Sequence, residues 1–146
     1  VSPEIVVDNR DDRFSSDRPW STSREAPAYL GSDYSFLPAG SLGWAKWSVT
    51  APLAGTYRLY LRWATIGTSQ KSPMEDIAPV EIQHPGDLVR TTVDQTRYGG
   101  TWVCVGTYPL RSGENIELKI LGGGDGIVVA DAIKLVRAAE GGALGR

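Results

Sequence analysis

An aspartate stands inside one of the most apolar stretches of this chain. Asp131 lies in the segment Gly126–Arg137, GIVVADAIKLVR. If this segment is a strand whose Lys134 faces water, strict alternation places Asp131 on the buried side. The buried side then also carries Ile127, Val129, Ile133 and Leu135, and the solvent side carries Val128, Ala130 and Ala132. A buried carboxylate is costly unless it is hydrogen-bonded, paired or metal-bound, so we expect a bonding role at a β-bulge or a metal site.

Tryptophan and tyrosine dominate the aromatic residues, with five Trp and six Tyr against two Phe. Their rings join a flat apolar face to a polar group, and nearby Asp, Gln or Arg side chains can form paired hydrogen bonds. This combination suits the ring face and the hydroxyl groups of a sugar. Three places offer it: the loop residues Trp20, Tyr29, Asp33 and Tyr34; the turn residues Asp94, Gln95, Arg97, Tyr98 and Trp102; and the strand residues Arg58, Tyr60 and Arg62. The two arginines of the third place suit an acidic sugar. For each aromatic residue, packing beneath a loop is the alternative.

The chain has few of the residue patterns that mark an enzyme. His84 is the only histidine, it precedes Pro85-Gly86 at an expected turn, and no G-x-S-x-G elbow frames a nucleophile. The glycine-rich run Gly122–Gly126 is not followed by Lys-Ser/Thr, so it is interpreted as a turn and not as a phosphate loop. Cys104 is the only cysteine, which excludes a disulfide within the chain.

Strand signals separated by turns recur along the chain, which predicts an all-β domain. In Gly55–Trp63, for example, Tyr57, Leu59 and Leu61 alternate with Arg58, Tyr60 and Arg62. The other predicted strands are Glu4–Val7, Trp44–Val49, Val80–His84, Asp87–Asp94, Thr101–Tyr108, Asn115–Leu121 and Gly126–Arg137. We expect loops at Asp8–Pro19 and Thr65–Ala78, a sandwich domain over residues 1–137, and a flexible tail or linker remnant over residues 138–146.

Charge and hydropathy limit the partners. The 146 residues include 15 basic and 17 acidic side chains, for a net charge of −2. Such a balance provides no general attraction for nucleic acid or an anionic membrane surface. No apolar run of transmembrane length is present, so neither nucleic acid nor membrane is an expected partner.

A series of short motifs between Ile5 and Val136 resembles a known family. The motifs are VDN (7–9), Phe14, Trp20, GSDY (31–34), PAG (38–40), Trp47, AGTYRLYLRW (54–63), VDQT (93–96), Gly99, Gly100, Trp102, GTY (106–108) and VVADAIKLV (128–136). In this order they resemble the golvesin-like or xanthan-lyase carbohydrate-binding-type domain. The resemblance implies an antiparallel, jelly-roll-like β-sandwich of an extracellular or cell-surface bacterial protein.

The resemblance also implies a function and an ion. We expect a non-catalytic carbohydrate-binding module that targets a larger secreted enzyme or surface protein to a polysaccharide, expected to be acidic. Structural Ca²⁺ is common in such modules, so Asp8 and Asp131 are its candidate ligands, although no cofactor is required for binding. The cluster Asp8–Asp12 lacks the D-x-D-x-D-G spacing of a calcium loop, so a solvated turn is the alternative there.

Two other functions stay open. The domain could be a structural spacer or protein-interaction module, with Trp44 and Tyr60 in an apolar patch that contacts other domains of a longer parent chain. A small hydrolase or lyase that uses His84 is the third hypothesis, since a sandwich fold does not by itself exclude catalysis.

Overall fold

The computed structural model of the chain describes residues 4–24, 29–64 and 74–138. Within these ranges the protein is all-β and contains twelve strands. They are β1 (Glu4–Asp8), β2 (Phe14–Ser16), β3 (Ser21–Ser23), β4 (Tyr34–Leu37), β5 (Trp44–Thr50), β6 (Gly55–Arg62), β7 (Ala78–His84), β8 (Asp87–Val93), β9 (Val103–Leu110), β10 (Asn115–Leu121), β11 (Val128–Ala130) and β12 (Ala132–Arg137). The described part of the chain has no helix, and therefore none that is long and apolar enough to span a bilayer.

The strands form a jelly-roll-like sandwich of antiparallel sheets. One sheet has the order β1-β12-β6-β9 and the other has the order β2-β5-β10-β7-β8, while β11-β4-β3 forms a smaller third sheet. Strands that are far apart in sequence are therefore neighbours, as in the pairing of β1 with β12. The predicted fold class is confirmed.

Alternation along the strands builds the core between the two larger sheets. In β6 the side chains of Leu59 and Leu61 are fully buried, and in β10 those of Leu118 and Ile120 are fully buried. All four belong to one continuous apolar cluster. Burial of such side chains stabilises the fold by about 1.5–3 kcal/mol each. The outward side chains of the same strands are thereby held at fixed spacing on the two outer faces.

The hairpin around Pro85-Gly86 forms as predicted, with His84 opposite Asp87. Three short strands were not predicted. β2 lies inside the expected loop Asp8–Pro19, and β3 and β4 lie between expected strands. β2 and β3 have only three residues each and are rich in serine, so they carry almost no alternating pattern.

The segment around Asp131 differs from the predicted single strand. The chain leaves the third sheet after Ala130 and enters the four-stranded sheet at Ala132, so Asp131 lies at the junction of β11 and β12. Both faces are covered there, and Val128, Ala130 and Ala132, expected to face water, are buried. Residues 65–73 of the expected loop and 139–146 of the expected tail lie outside the described residues, so the domain boundary stays a prediction. Met74 forms an isolated bridge to Ile127.

Candidate functional site

The predicted burial of Asp131 is confirmed, since its side chain has no exposed surface. The backbone N–H of Leu30 donates to its Oδ2 at 2.9 Å, and Nε of Arg62 lies 3.9 Å from the same oxygen. Its Oδ1 has no hydrogen-bond partner among the described residues. Burial raises the pKa of Asp131 to about 7, and the nearby Asp8 carboxylate acts in the same direction. The expected hydrogen bond is therefore observed, but Asp131 lies at the junction of two sheets and not at a β-bulge.

A second buried polar group lies nearby. The side-chain amide of Asn9 donates to Asp33 and to Ser35, both at 2.9 Å, and the guanidinium of Arg10 pairs with the Asp33 carboxylate. The bond from Arg10 is the main reason that the pKa of Asp33 is lowered. Burial raises the pKa of Asp8. The Asp33 charge is thus already balanced by an arginine.

These donors do not complete a metal site. Ca²⁺ takes six to eight oxygen ligands. The described residues contain no group of three or more His, Cys, Asp or Glu side chains arranged to hold a metal ion. Asp8 and Asp131 supply two carboxylates, so calcium binding there stays a prediction.

The first predicted sugar patch is packed into the protein. Tyr34 is only 2% exposed and Trp20 only 8%, and Asp33 is buried in its pair with Arg10. The Tyr34 ring lies between Tyr29 and Phe36, at centroid distances of 5.9 and 6.3 Å. Trp20 and Tyr34 therefore present no open ring face to a ligand, and Asp33 is buried beside them. These residues pack within the protein, as the alternative expectation stated.

The second predicted patch divides into buried and exposed residues. Gln95 is fully buried: its Nε2 donates to the carbonyl of Val129 at 2.9 Å, and the Val129 N–H donates to its Oε1 at 2.8 Å. Gln95 therefore braces β11 and does not face solvent. Tyr98 is 67% exposed, and the Arg97 side chain is 71% exposed. These two residues, with the partly exposed Asp94, form the outer part of the turn.

Trp102 and Lys134 lie beside the third predicted patch. Tyr60 and Arg62 point outward from β6, and the register places Lys134 of β12 directly beside Tyr60. The Lys134 ammonium lies 5.0 Å from the Tyr60 ring centroid and 4.7 Å from that of Trp102. The Arg62 guanidinium carbon lies 5.4 Å from the Trp102 centroid. We call Arg58, Tyr60, Arg62, Trp102 and Lys134 the cationic-aromatic face.

This face gathers positive charge around one indole ring. Cations are attracted to the electron-rich face of tryptophan, so the Trp102 ring stabilises both the Arg62 and the Lys134 charge. No ion pair between Lys134 or Arg58 and a carboxylate is found among the described residues. Sequence reasoning placed Lys134 in solvent but missed its role, because only the register between β6 and β12 brings it to Tyr60.

The expected apolar patch of Trp44 and Tyr60 does not form. Trp44 lies on the five-stranded sheet and Tyr60 on the four-stranded sheet, so the two rings belong to opposite outer faces. Each ring also has a lysine ammonium nearby: Lys46 and Lys119 lie 5.5 and 4.9 Å from the Trp44 centroid, and Lys134 lies 5.0 Å from that of Tyr60. His84 packs against Tyr108 at 4.7 Å and accepts a bond from the Gly86 N–H, in keeping with its predicted turn position.

Similarity to known proteins agrees with this geometry. The sequence model of the Golvesin C-terminal domain matches residues 5–137. This chain belongs to the Golvesin C-terminal domain family. The resemblance inferred from the motifs is thereby confirmed.

This Golvesin C-terminal domain is similar to a small part of two longer proteins and to one separate module. It is 34% identical, over 143 residues, to xanthan lyase of Bacillus sp. (strain GL1). The matched region covers 92% of this chain and 15% of that lyase. The domain is similar to the structure of Paenibacillus xanthan lyase, with a TM-score of 0.81 and 28% identity over 93% of this chain and 13% of that chain. A family 35 carbohydrate binding module from Clostridium thermocellum has the same fold, with a TM-score of 0.64 and 22% identity over 93% of this chain and 99% of that module. The chain thus spans about one-seventh of the lyases that it matches.

Proposed function

We propose that this domain is a non-catalytic module that binds an acidic polysaccharide through the cationic-aromatic face. The observation that carries the proposal is the Trp102 ring with the cations of Arg62 and Lys134 beside it. Two cations on adjacent strands suit a carboxylate on a sugar, and the Tyr60 ring beside them offers an apolar surface for the sugar ring. The fold shared with a carbohydrate-binding module and the family membership support this assignment.

The domain acts in this proposal as one part of an extracellular or cell-surface protein. Its similarity to a small fraction of two xanthan lyases supports a role beside a catalytic domain. Binding to polysaccharide would raise the effective concentration of such a partner domain at its substrate.

Affinity gel electrophoresis tests the proposal. The chain is run through gels that contain xanthan, alginate or polygalacturonate, and through gels that contain neutral galactomannan or xylan. We expect retardation in at least one acidic gel and not in the neutral gels. The apparent affinity should fall as salt rises, because ions screen attraction between exposed charges.

Variants locate the surface. Trp102→Ala should weaken binding by about tenfold or more, since a central aromatic contact is commonly worth at least 1–2 kcal/mol. Lys134→Gln should weaken binding to the acidic polysaccharides and reduce its salt dependence. Trp44→Ala is the matched control, because it removes a half-buried indole that lies near two lysines on the opposite outer face. Equal losses in Trp44→Ala and Trp102→Ala, or no retardation in any gel, would contradict the proposal.

A further inference from the structure

A cleft opens where the two larger sheets meet at one side of the sandwich. Its walls come from β8, the edge of the five-stranded sheet, and β9, the edge of the four-stranded sheet. Its volume is about 320 Å³, at the lower end of the 300–1,000 Å³ range that is typical of small-molecule sites. The lining residues are Trp63, Thr91, Thr92, Val93, Asp94, Tyr98, Val103, Cys104 and Val105.

The lining combines an apolar floor with hydroxyl and carboxylate groups. Three valines supply the apolar part, while Thr91, Thr92, Asp94 and the Tyr98 phenol supply groups that form hydrogen bonds. Asp94 is the only charged residue of the lining, and its Oδ1 already accepts a bond from the Thr96 N–H at 2.9 Å. The other Asp94 oxygen, Oδ2, lies 3.5 Å from Nε of Arg97. A ligand with several hydroxyl groups and one apolar face fits this chemistry, whereas the lining contains no lysine or arginine that would pair with a carboxylate on the ligand.

Tyr98 is held in an unusual conformation at the rim of this cleft. Its φ angle of 59° lies in the left-handed region, and the residue is 67% exposed. The backbone around it is fixed, because Thr101 donates two hydrogen bonds to the Tyr98 carbonyl and Gly100 N–H donates to the carbonyl of Trp63 at 2.8 Å. A non-glycine residue in this region costs about 1 kcal/mol or more, and such strain is concentrated at functional sites.

The cleft joins the cationic-aromatic face through a β-bulge. The pairing of β6 with β9 shifts between Leu59 and Tyr60, so that Val105 has no partner and Cys104 pairs with Tyr60. A bulge redirects side chains that strict alternation would send to opposite faces. Three consecutive residues, Val103, Cys104 and Val105, therefore line the cleft, and Cys104 is the cross-strand neighbour of Tyr60.

We propose that this cleft is a second subsite that holds a neutral sugar unit. The neutral unit belongs to the same polysaccharide chain as the acidic unit that contacts the cationic-aromatic face. The inference rests on the proposed function and adds to it a ligand of at least two sugar units, one acidic and one neutral. Tyr98 stacks on the neutral ring, and Asp94 accepts hydrogen bonds from its hydroxyl groups. The bulge sets the path of the chain between the two subsites.

Cys104 provides a direct probe of the cleft. It is the only cysteine of the chain, it is exposed, and it lines the cleft. Its alkylation by iodoacetamide, an uncharged reagent that polyanions do not exclude, is followed by mass spectrometry with each polysaccharide of the gel panel. We expect the alkylation rate to fall at least fivefold at saturating concentrations of a polysaccharide that retards the chain. Tyr98→Ala should abolish this protection, while gels that contain the same polysaccharide should still retard the variant.

One control variant distinguishes protection by the cleft from general shielding by the polysaccharide. In the double variant Cys104→Ser/Ser112→Cys the thiol lies at an exposed turn outside the cleft lining, so its alkylation rate should not change. Retardation of the wild-type chain without protection of Cys104 would overturn the second subsite and leave the proposed function standing. Protection that persists in Tyr98→Ala would also overturn it. Absence of both retardation and protection across the panel would refute the proposed function itself.

Discussion

Replacing Asp131 by asparagine should stabilise the protein at alkaline pH and not at acidic pH. Burial raises the pKa of this carboxyl from 3.8 to about 7. Between these two values the folded state binds a proton that the unfolded state has lost, so the stability contributed by Asp131 falls as pH rises from about 4 to 7. The difference between the two pKa values corresponds to about 4 kcal/mol, since one pKa unit is worth about 1.4 kcal/mol.

Asparagine is neutral at every pH and has nearly the same shape. It keeps an oxygen to accept the Leu30 N–H bond, but it loses the attraction of Arg62, whose Nε lies 3.9 Å away. The pKa of about 7 already includes the attraction of Arg62, so this loss is not subtracted again. We therefore expect Asp131→Asn to raise the free energy of unfolding by up to about 4 kcal/mol at pH 8. At pH 4.5 the variant should show no gain over the wild type.

The assay is urea unfolding followed by tryptophan fluorescence at pH 4.5, 6, 7 and 8, with a chelator present. Asp33→Asn is the matched control, because Arg10 lowers the pKa of that buried carboxyl. Its ionised form is favoured in the folded state, so Asp33→Asn should be destabilising at pH 8 and less so at the lowest pH that the protein tolerates. A loss of stability in Asp131→Asn at pH 8 would refute the reasoning.

Other substitutions probe the packing around the site. Gly126→Ala should cost about 1–3 kcal/mol in urea unfolding, because its Cβ would lie 2.4 Å from the Glu75 nitrogen, whereas Gly86→Ala has only an ordinary contact at 3.5 Å. Gln95→Leu should cost about 2–5 kcal/mol, since it leaves both polar groups of Val129 buried and unpaired; a smaller cost than that of the exposed Gln83→Leu would contradict this. Tyr98→Asn should raise the melting temperature, because asparagine tolerates a φ of 59°, while iodoacetamide protection of Cys104 is lost. If Asp8 and Asp131 bind Ca²⁺, then CaCl₂ should raise the melting temperature of the wild type and not of Asp131→Asn.

The sequence predicts the strands that have a clear pattern and the polar residues that break one. Alternation in β6 identifies Leu59 and Leu61 as core and Arg58 as exposed, and the structure agrees. Asp131 could be recognised as buried because its neighbours are apolar. Its position between two sheets could not be recognised, since the change of sheet depends on the pairing of β11 with β4 and of β12 with β6.

The candidate site was harder to predict than the fold. Gln95 and Tyr98 lie three positions apart in one turn, yet one is buried and the other is 67% exposed. Residue type does not distinguish them, because both combine polar and apolar atoms. The cleft depends on the meeting of β8 with β9, which follow each other in the chain but form the edges of two different sheets. It also depends on a bulge that has no sequence signature here.

The Gln95 amide has a consequence for the solubility of the domain. β11 is an outer strand of the third sheet, and outer strands expose unpaired backbone groups to which another chain can add as a new strand. The Gln95 side chain takes the place of a peptide group on a neighbouring strand, because it donates one hydrogen bond to Val129 and accepts one from it. Glu75 blocks the adjoining position, where its N–H donates to the carbonyl of Ile127 at 2.9 Å. One side chain and one bridge thus close an edge that would otherwise be a template for aggregation.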